Sequence, residues 1–308
     1  MGTPFLRGDN MEGYSKETIF HLPGIFEMGV VWQPFMALLE QDDSVLKTNV
    51  KFGSIYGAPN CIWNGGRNNI GIPLFSNEQL SSFKEFMEYH QIPVRFTFTN
   101  CLLTEDHIKD TYCNLVADIF ATGNNEIICN SPILENYLRE RYGNKYRYIS
   151  STTKTIVDKD RQIEEINRDY FLTVLDLSHN KDFDFLNSIE HKDKCELLCN
   201  STCYANCPNK TKHYELVSRN QLEHTDFNDY SECDGGVCSY ANAQTRDHYI
   251  SPEDIEKIYL PMGFSNFKLE GRNAHPLILI DILVDYLIKD SCKGKVKEQL
   301  YRMMWQGE

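Results

Sequence analysis

Short apolar runs rich in β-branched and aromatic residues recur along the chain, and between them the spacing of apolar positions lengthens from two residues toward a helical period. The runs occupy residues 18–22, 50–56, 94–99, 126–129, 146–150, 171–177, 195–199 and 266–270, and each reads as a strand. Helices are predicted between them. Ser76, Asn77, Glu78 and Gln79 form a capping-box pattern ahead of an apolar stripe at Leu80, Phe83 and Met87. Thr104 is placed to cap a helix whose stripe is Ile108, Leu115 and Ile119, and Ser251-Pro252 supplies a cap and first-turn proline before Ile255 and Ile258. Residues 276–288 are apolar on several sides and predict a well-buried helix.

Strands alternating with helices pair in parallel, because each crossover returns the chain in the same direction. Eight such units predict a (β/α)8 TIM-like barrel over residues 17–308, preceded by a polar tail at 1–16. An open doubly wound sheet is the rival, but no Gly-x-Gly-x-x-Gly follows the first strand. The rhythm breaks after the seventh strand. Residues 200–250 are rich in Asn, Asp and Cys and show no clear apolar period, which predicts a long functional insertion.

The 308 residues are 41 % hydrophobic and 24 % charged, an ordinary globular composition. The most apolar stretch, 277–288, contains Asp281 and Asp285 and is too short for a membrane span. The 44 acidic residues exceed the 31 basic ones, a net charge of −13 that disfavours nucleic acid as a tight partner. The opening residues carry no apolar leader, so the expected compartment is the cytoplasm, with reduced thiols.

Candidate chemistry starts with sulfur. Of 11 cysteines, Cys61, Cys101, Cys113, Cys129 and Cys292 lie in or near apolar runs and read as core thiols, as does Cys195, while Cys199 sits where strand becomes loop. Cys203 and Cys207, then Cys233 and Cys238, make two close pairs on one polar insertion. That pattern suits four soft ligands around an iron–sulfur cluster or, alternatively, zinc. A second group lies at the strand ends, where such a barrel keeps its active site. It comprises Asn64, Arg67, Asn100 and Asn130 as substrate-binding candidates, with Asp176 and the loop residue His213 as proton carriers. Gly65-Gly66 reads as a turn presenting Asn64 and Arg67. In the last strand Lys268, Glu270 and Arg272 share one side. They either satisfy one another as an ion network or bind an anionic substrate or electron donor, with Glu270 orienting it.

Three segments carry a family resemblance. They are residues 196–208 with Cys203 and Cys207, the pair His213-Tyr214, and residues 263–272. Together they resemble the collagenase-like peptidases, peptidase family U thirty-two. Lys268-Leu269-Glu270-Gly271-Arg272 is similar to that family's Lys-Ile-Glu-Gly-Arg stretch, with Leu269 in place of isoleucine. The resemblance implies a TIM-like barrel with a 4Fe-4S cluster on cysteines after the seventh strand. It also implies relatives that hydroxylate RNA bases or ubiquinone precursors without oxygen, beside others labelled as peptidases. The cysteine spacings depart from those of the hydroxylation members. Cys61, which resembles an early ligand of one ubiquinone-hydroxylation branch, or Cys199 could therefore replace Cys233. The leading expectation is an iron–sulfur enzyme of oxygen-independent redox or hydroxylation chemistry. A peptidase and a non-catalytic scaffold stabilised by zinc or a cluster are the alternatives.

Overall fold

Each of the β-rich runs becomes a strand in the computed structural model, which describes residues 17–227, 240–272 and 274–306. The strands are β1 (Thr18–Pro23), β2 (Val50–Gly57), β3 (Val94–Phe98), β4 (Glu126–Cys129), β5 (Arg147–Ser150), β6 (Leu172–Val174), β7 (Cys195–Leu198) and β8 (Asn266–Lys268). They pair in parallel in sequence order, and β8 returns to β1 with Lys268 opposite His21, so the barrel closes. β6 is shorter than the apolar run suggests, because Asp176 turns the chain into a 3₁₀ turn at Leu177–His179 by accepting from Ser178 N.

The surrounding helices are α1 (Gly29–Gln41), α2 (Asn77–Tyr89), α3 (Thr111–Ile119), α4 (Pro132–Tyr142), α5 (Lys159–Asn167), α6 (Phe183–Ser188), α7 (Lys210–Glu223) and α8 (Tyr240–Gln244). Next, α9 (Pro252–Asp254) runs through a π-helical turn at Ile255–Tyr259 into α10 (Leu260–Met262), followed by α11 (Pro276–Leu287) and α12 (Lys293–Gln306). Ser76 and Ser251 both close capping boxes, and α11 is buried over most of its surface.

Two helices differ from the sequence reading. Thr104 caps no α-helix: α3 begins later, at an Asp110 cap, and buries Cys113, Val116 and Ala117 rather than a stripe through Leu115 and Ile119. The insertion contains the 14-residue α7, whose buried face is mostly polar, at Lys210, Ser218, Asn220 and Gln221 around Val217. A helix that buries hydrogen-bonding groups leaves no apolar period to read.

Strand residues alternate between two solvents. Outward, Phe20 meets Tyr286 of α11 and Phe96 meets Phe120 beyond α3, building the main core between sheet and helices. Inward, the lumen has two unlike walls. On β4–β6, Ile128, Ile149, Leu172 and Val174 form a small apolar cluster of their own. On the remaining strands the lumen holds His21, Ser54, Arg95, Glu196 and Lys268, all buried, with Glu126 at the foot of β4. Barrels of this type usually fill with Val, Ile and Leu.

Arg95 bridges this polar wall, with Nε 2.6 Å from Glu126 Oε2 and Nη1 2.5 Å from Glu196 Oε2. Burial would raise the Glu196 carboxyl, but Arg95, His21 and Lys268 overcome that and hold it down to about 2. Burial, then Arg95, lowers His21 to about 4, so its ring is neutral. The register of β1 against β2 slips between Phe20 and His21, leaving Gly53 beside the His21 ring. A Cβ at Gly53 would collide with that ring, so glycine is needed there.

Candidate functional site

The loops leaving the C-terminal ends of the strands build one mouth, and a polar side chain locks the last two together. Asn200 donates Nδ2 to Glu270 O at 3.0 Å and accepts from Glu270 N at 2.7 Å, extending the β7–β8 ladder beyond its strands. The Cys203–Cys207 loop follows at once. Lys210, first residue of α7, donates Nζ to Ala205 O at 2.7 Å and to both Asp176 oxygens at 3.2 and 3.1 Å, pinning the loop to the end of β6. Arg246 donates to Thr202 O and stacks 3.7 Å over the Tyr204 ring, and His248 Nε2 lies 3.2 Å from Ser201 O. Cys203 and Cys207 are thereby held half-buried within electrostatic reach of each other. Burial, then the charge of Glu270, pushes the Cys203 thiol up to about 11.

Lys268, Glu270 and Arg272 do not form a network among themselves; each pairs elsewhere. Arg272 is 5 % exposed. It donates to Thr97 Oγ1, to Asn64 Oδ1 at 3.2 Å, to Gly65 O at 3.1 Å and to Arg67 O at 3.4 Å, and its Nε lies 3.5 Å from Glu27 Oε1. Its buried Nε makes no hydrogen bond, while the other contacts bind Arg272 into the frame of the mouth. The fully buried Asn64 belongs to the same frame: it accepts from Thr97 and Arg272 and donates to Arg67 O. Gly65 lets loop and strand meet, since a Cβ there would strike the backbone at Thr99 and Asn100.

Arg67 and Glu270 are different. Their ion pair, 3.4 Å long, keeps 34 % and 23 % of its side chains exposed at the mouth. Tyr214 of α7 sits in the field of Arg67, Glu270 and Cys203. His213 is half-buried on the same helix and is lowered by burial, then by Arg67, so it stays neutral. Lys268 lies deeper, in the lumen, 3.8 Å from Glu196.

Other candidates take structural posts. Asn100 donates to Ile62 O and Ser218 O, tying α7 to the loop after β2, and Asn130 donates to Thr153 Oγ1. Asp176 accepts from Lys210 and from Ser178 of its own turn, which anchors the thiol loop. Cys61 and Cys199 are both buried. Cys61 is 3 % exposed and lies against Cys113, while Cys199 is fully buried near Tyr259 and Tyr286. Cys233 and Cys238 lie outside the described residues. Among the described residues no group of three His, Cys, Asp or Glu side chains is placed to hold a metal ion.

The sequence reading missed Glu27, which follows β1 on the same face. Its carboxylate accepts from Asn69 Nδ2 at 3.0 Å and faces Arg272; burial pushes it up to about 7 against the pull of that guanidinium. Its position just past a strand end was the available signal. Lys210 and the lumen residues Arg95, Glu126 and Glu196 were also missed.

No family model matches the sequence. No curated protein matches it. Among solved structures, that of the U32 peptidase Mk0906 is similar, with a TM-score of 0.51 over 86 % of this chain and 97 % of that one, at 10 % identity. The shared feature is the barrel fold.

Proposed function

We propose that this chain is an enzyme of the U32 peptidase type whose C-terminal mouth combines a thiolate-bound iron–sulfur cluster with an anion-binding arginine. The supporting observation is the adjacency of two half-buried thiols, Cys203 and Cys207, to the half-exposed Arg67–Glu270 pair. Two soft donors spaced on one pinned loop suit a cluster edge, and Cys233 and Cys238 from the same insertion would complete the four. When bound, the cluster would supply one-electron transfer. To serve as a ligand Cys203 would have to be a thiolate, a form that burial opposes.

The chain's own residues bind and orient. Arg67 presents its guanidinium to a substrate carboxylate, exchanging Glu270 for the incoming anion. Glu270, released from that pair, takes up a substrate proton at Oε1, and neutral His213 is a second acceptor on the facing helix. Peptide hydrolysis is a second reading, supported by the name of the structural neighbour, with Cys207 as nucleophile and His213 as base.

Anaerobic purification separates the two. A brown protein with about four irons and matching sulfide supports the cluster. A colourless protein that cleaves peptides, and loses that activity in Cys207→Ala, supports the peptidase and overturns the first reading. A colourless protein with one zinc and no turnover reduces the insertion to a scaffold.

A further inference from the structure

The lumen contains a lysine held by one long ion pair and an aromatic ring. Lys268 projects inward from β8, opposite His21, with 9 % of its side chain accessible. Its ion pair with Glu196 Oε1 is 3.8 Å long, beyond hydrogen-bond range. Glu196 commits its other oxygen to Arg95, with His21 3.4 Å away, and buried Oε1 has no hydrogen-bond partner. Nζ lies 4.3 Å from the centroid of the Tyr56 ring, which is fixed by its hydroxyl bond to Leu269 O at 2.7 Å. An amine and a buried carboxylate oxygen that makes no hydrogen bond thus face each other at 3.8 Å.

From this geometry we infer that Lys268 is a nucleophilic amine that condenses with a small aldehyde or 2-oxo acid. The Nζ lone pair attacks the carbonyl carbon to give a carbinolamine. The two amine protons leave with the former carbonyl oxygen as water, one relayed by Glu196 Oε1, and a C=N bond remains. No oxidant or reductant is consumed. Burial, reinforced by Arg95 and Arg272, brings Lys268 down to about 8, so the neutral amine is present near neutral pH despite the opposing pull of Glu196. Desolvation beside another cation is a known way to activate a lysine.

The test uses the full-length protein, glyoxylate as the carbonyl and cyanoborohydride to trap the imine, followed by peptide mass mapping. Lys268 should acquire a carboxymethyl group at least about tenfold faster than exposed lysines such as Lys257, at a rate that rises through about pH 8. Lys268→Arg, which keeps the cation, should lose that adduct with an unchanged near-ultraviolet dichroism spectrum. Labelling confined to exposed lysines, or no faster at Lys268 than at Lys257, overturns the inference. The readout needs no iron, so it stands or falls independently of the thiol centre.

Discussion

The barrel lumen and the barrel mouth both concentrate charge, but under opposite conditions. In the lumen, Arg95, Glu126 and Glu196 are at most 1 % exposed and bonded on the shortest ion-pair geometry of the interior. Such ions have lost their water, and each is tolerable only while its partner is present. At the mouth, the Arg67–Glu270 pair is partly wet and long, so exchanging one anion for another costs little. Sealed charge fixes the architecture; wet charge is available to a ligand. Lys210–Asp176 lies between these limits, buried at 8 % and 1 % exposure yet attached to the thiol loop.

The largest expected effect comes from breaking the sealed side. Arg95→Met strands two buried carboxylates and should cost about 3–5 kcal/mol in urea unfolding. A loss well under 1 kcal/mol would erase the distinction between the two regions. Lys210→Met removes charged hydrogen bonds to Asp176 and Ala205 and should cost about 2 kcal/mol. Its specific signature is faster amide exchange over residues 200–209 while the strand amides stay protected; uniform exchange would mean the loop is not separately pinned.

Glu27 sharpens the comparison through pH. Its carboxyl is raised to about 7 in the folded chain, so its contribution is fully present below its unfolded value near 4.5 and is lost as pH rises through 7. The stability of wild type relative to Glu27→Gln should therefore fall by about 1.4 kcal/mol per pH unit across that window. A difference that is flat with pH would show that Glu27 is ionised throughout. The smallest effect belongs to the wet pair. Arg67→Gln should change unfolding free energy by less than about 1 kcal/mol, and a larger loss would place Arg67 with the lumen residues.

How much of this was legible follows from what kind of neighbour each residue has. The strands were readable because each is a β-rich run bounded by polar turns, and a parallel sheet buries both faces of such a run. The lumen charges were not. Arg95 in Val94–Phe98 and Glu196 in Cys195–Leu198 are single charges inside apolar runs, and their pairing spans 101 positions that no local period links. Helix α7 escaped because Ser218, Asn220 and Gln221 bury hydrogen bonds instead of hydrocarbon. The Cys203–Cys207 spacing was visible, but its anchor was not, since Lys210 reads as an ordinary solvated lysine. Arg272 was recognised as a charge facing inward, whereas its commitment to Thr97, Asn64 and Glu27 depends on β3 and on the loops after β2 and β1.

Mouth thiols and core thiols give the most direct test. Iron and sulfide should be counted per chain in anaerobically prepared wild type, in Cys203→Ser/Cys207→Ser, and in Cys61→Ser/Cys199→Ser. The expected result is about four irons in wild type and in the core pair, with none in the mouth pair. Iron that persists after both mouth sulfurs are removed, or that vanishes only when the core pair is changed, would contradict the assignment of the centre to the barrel mouth.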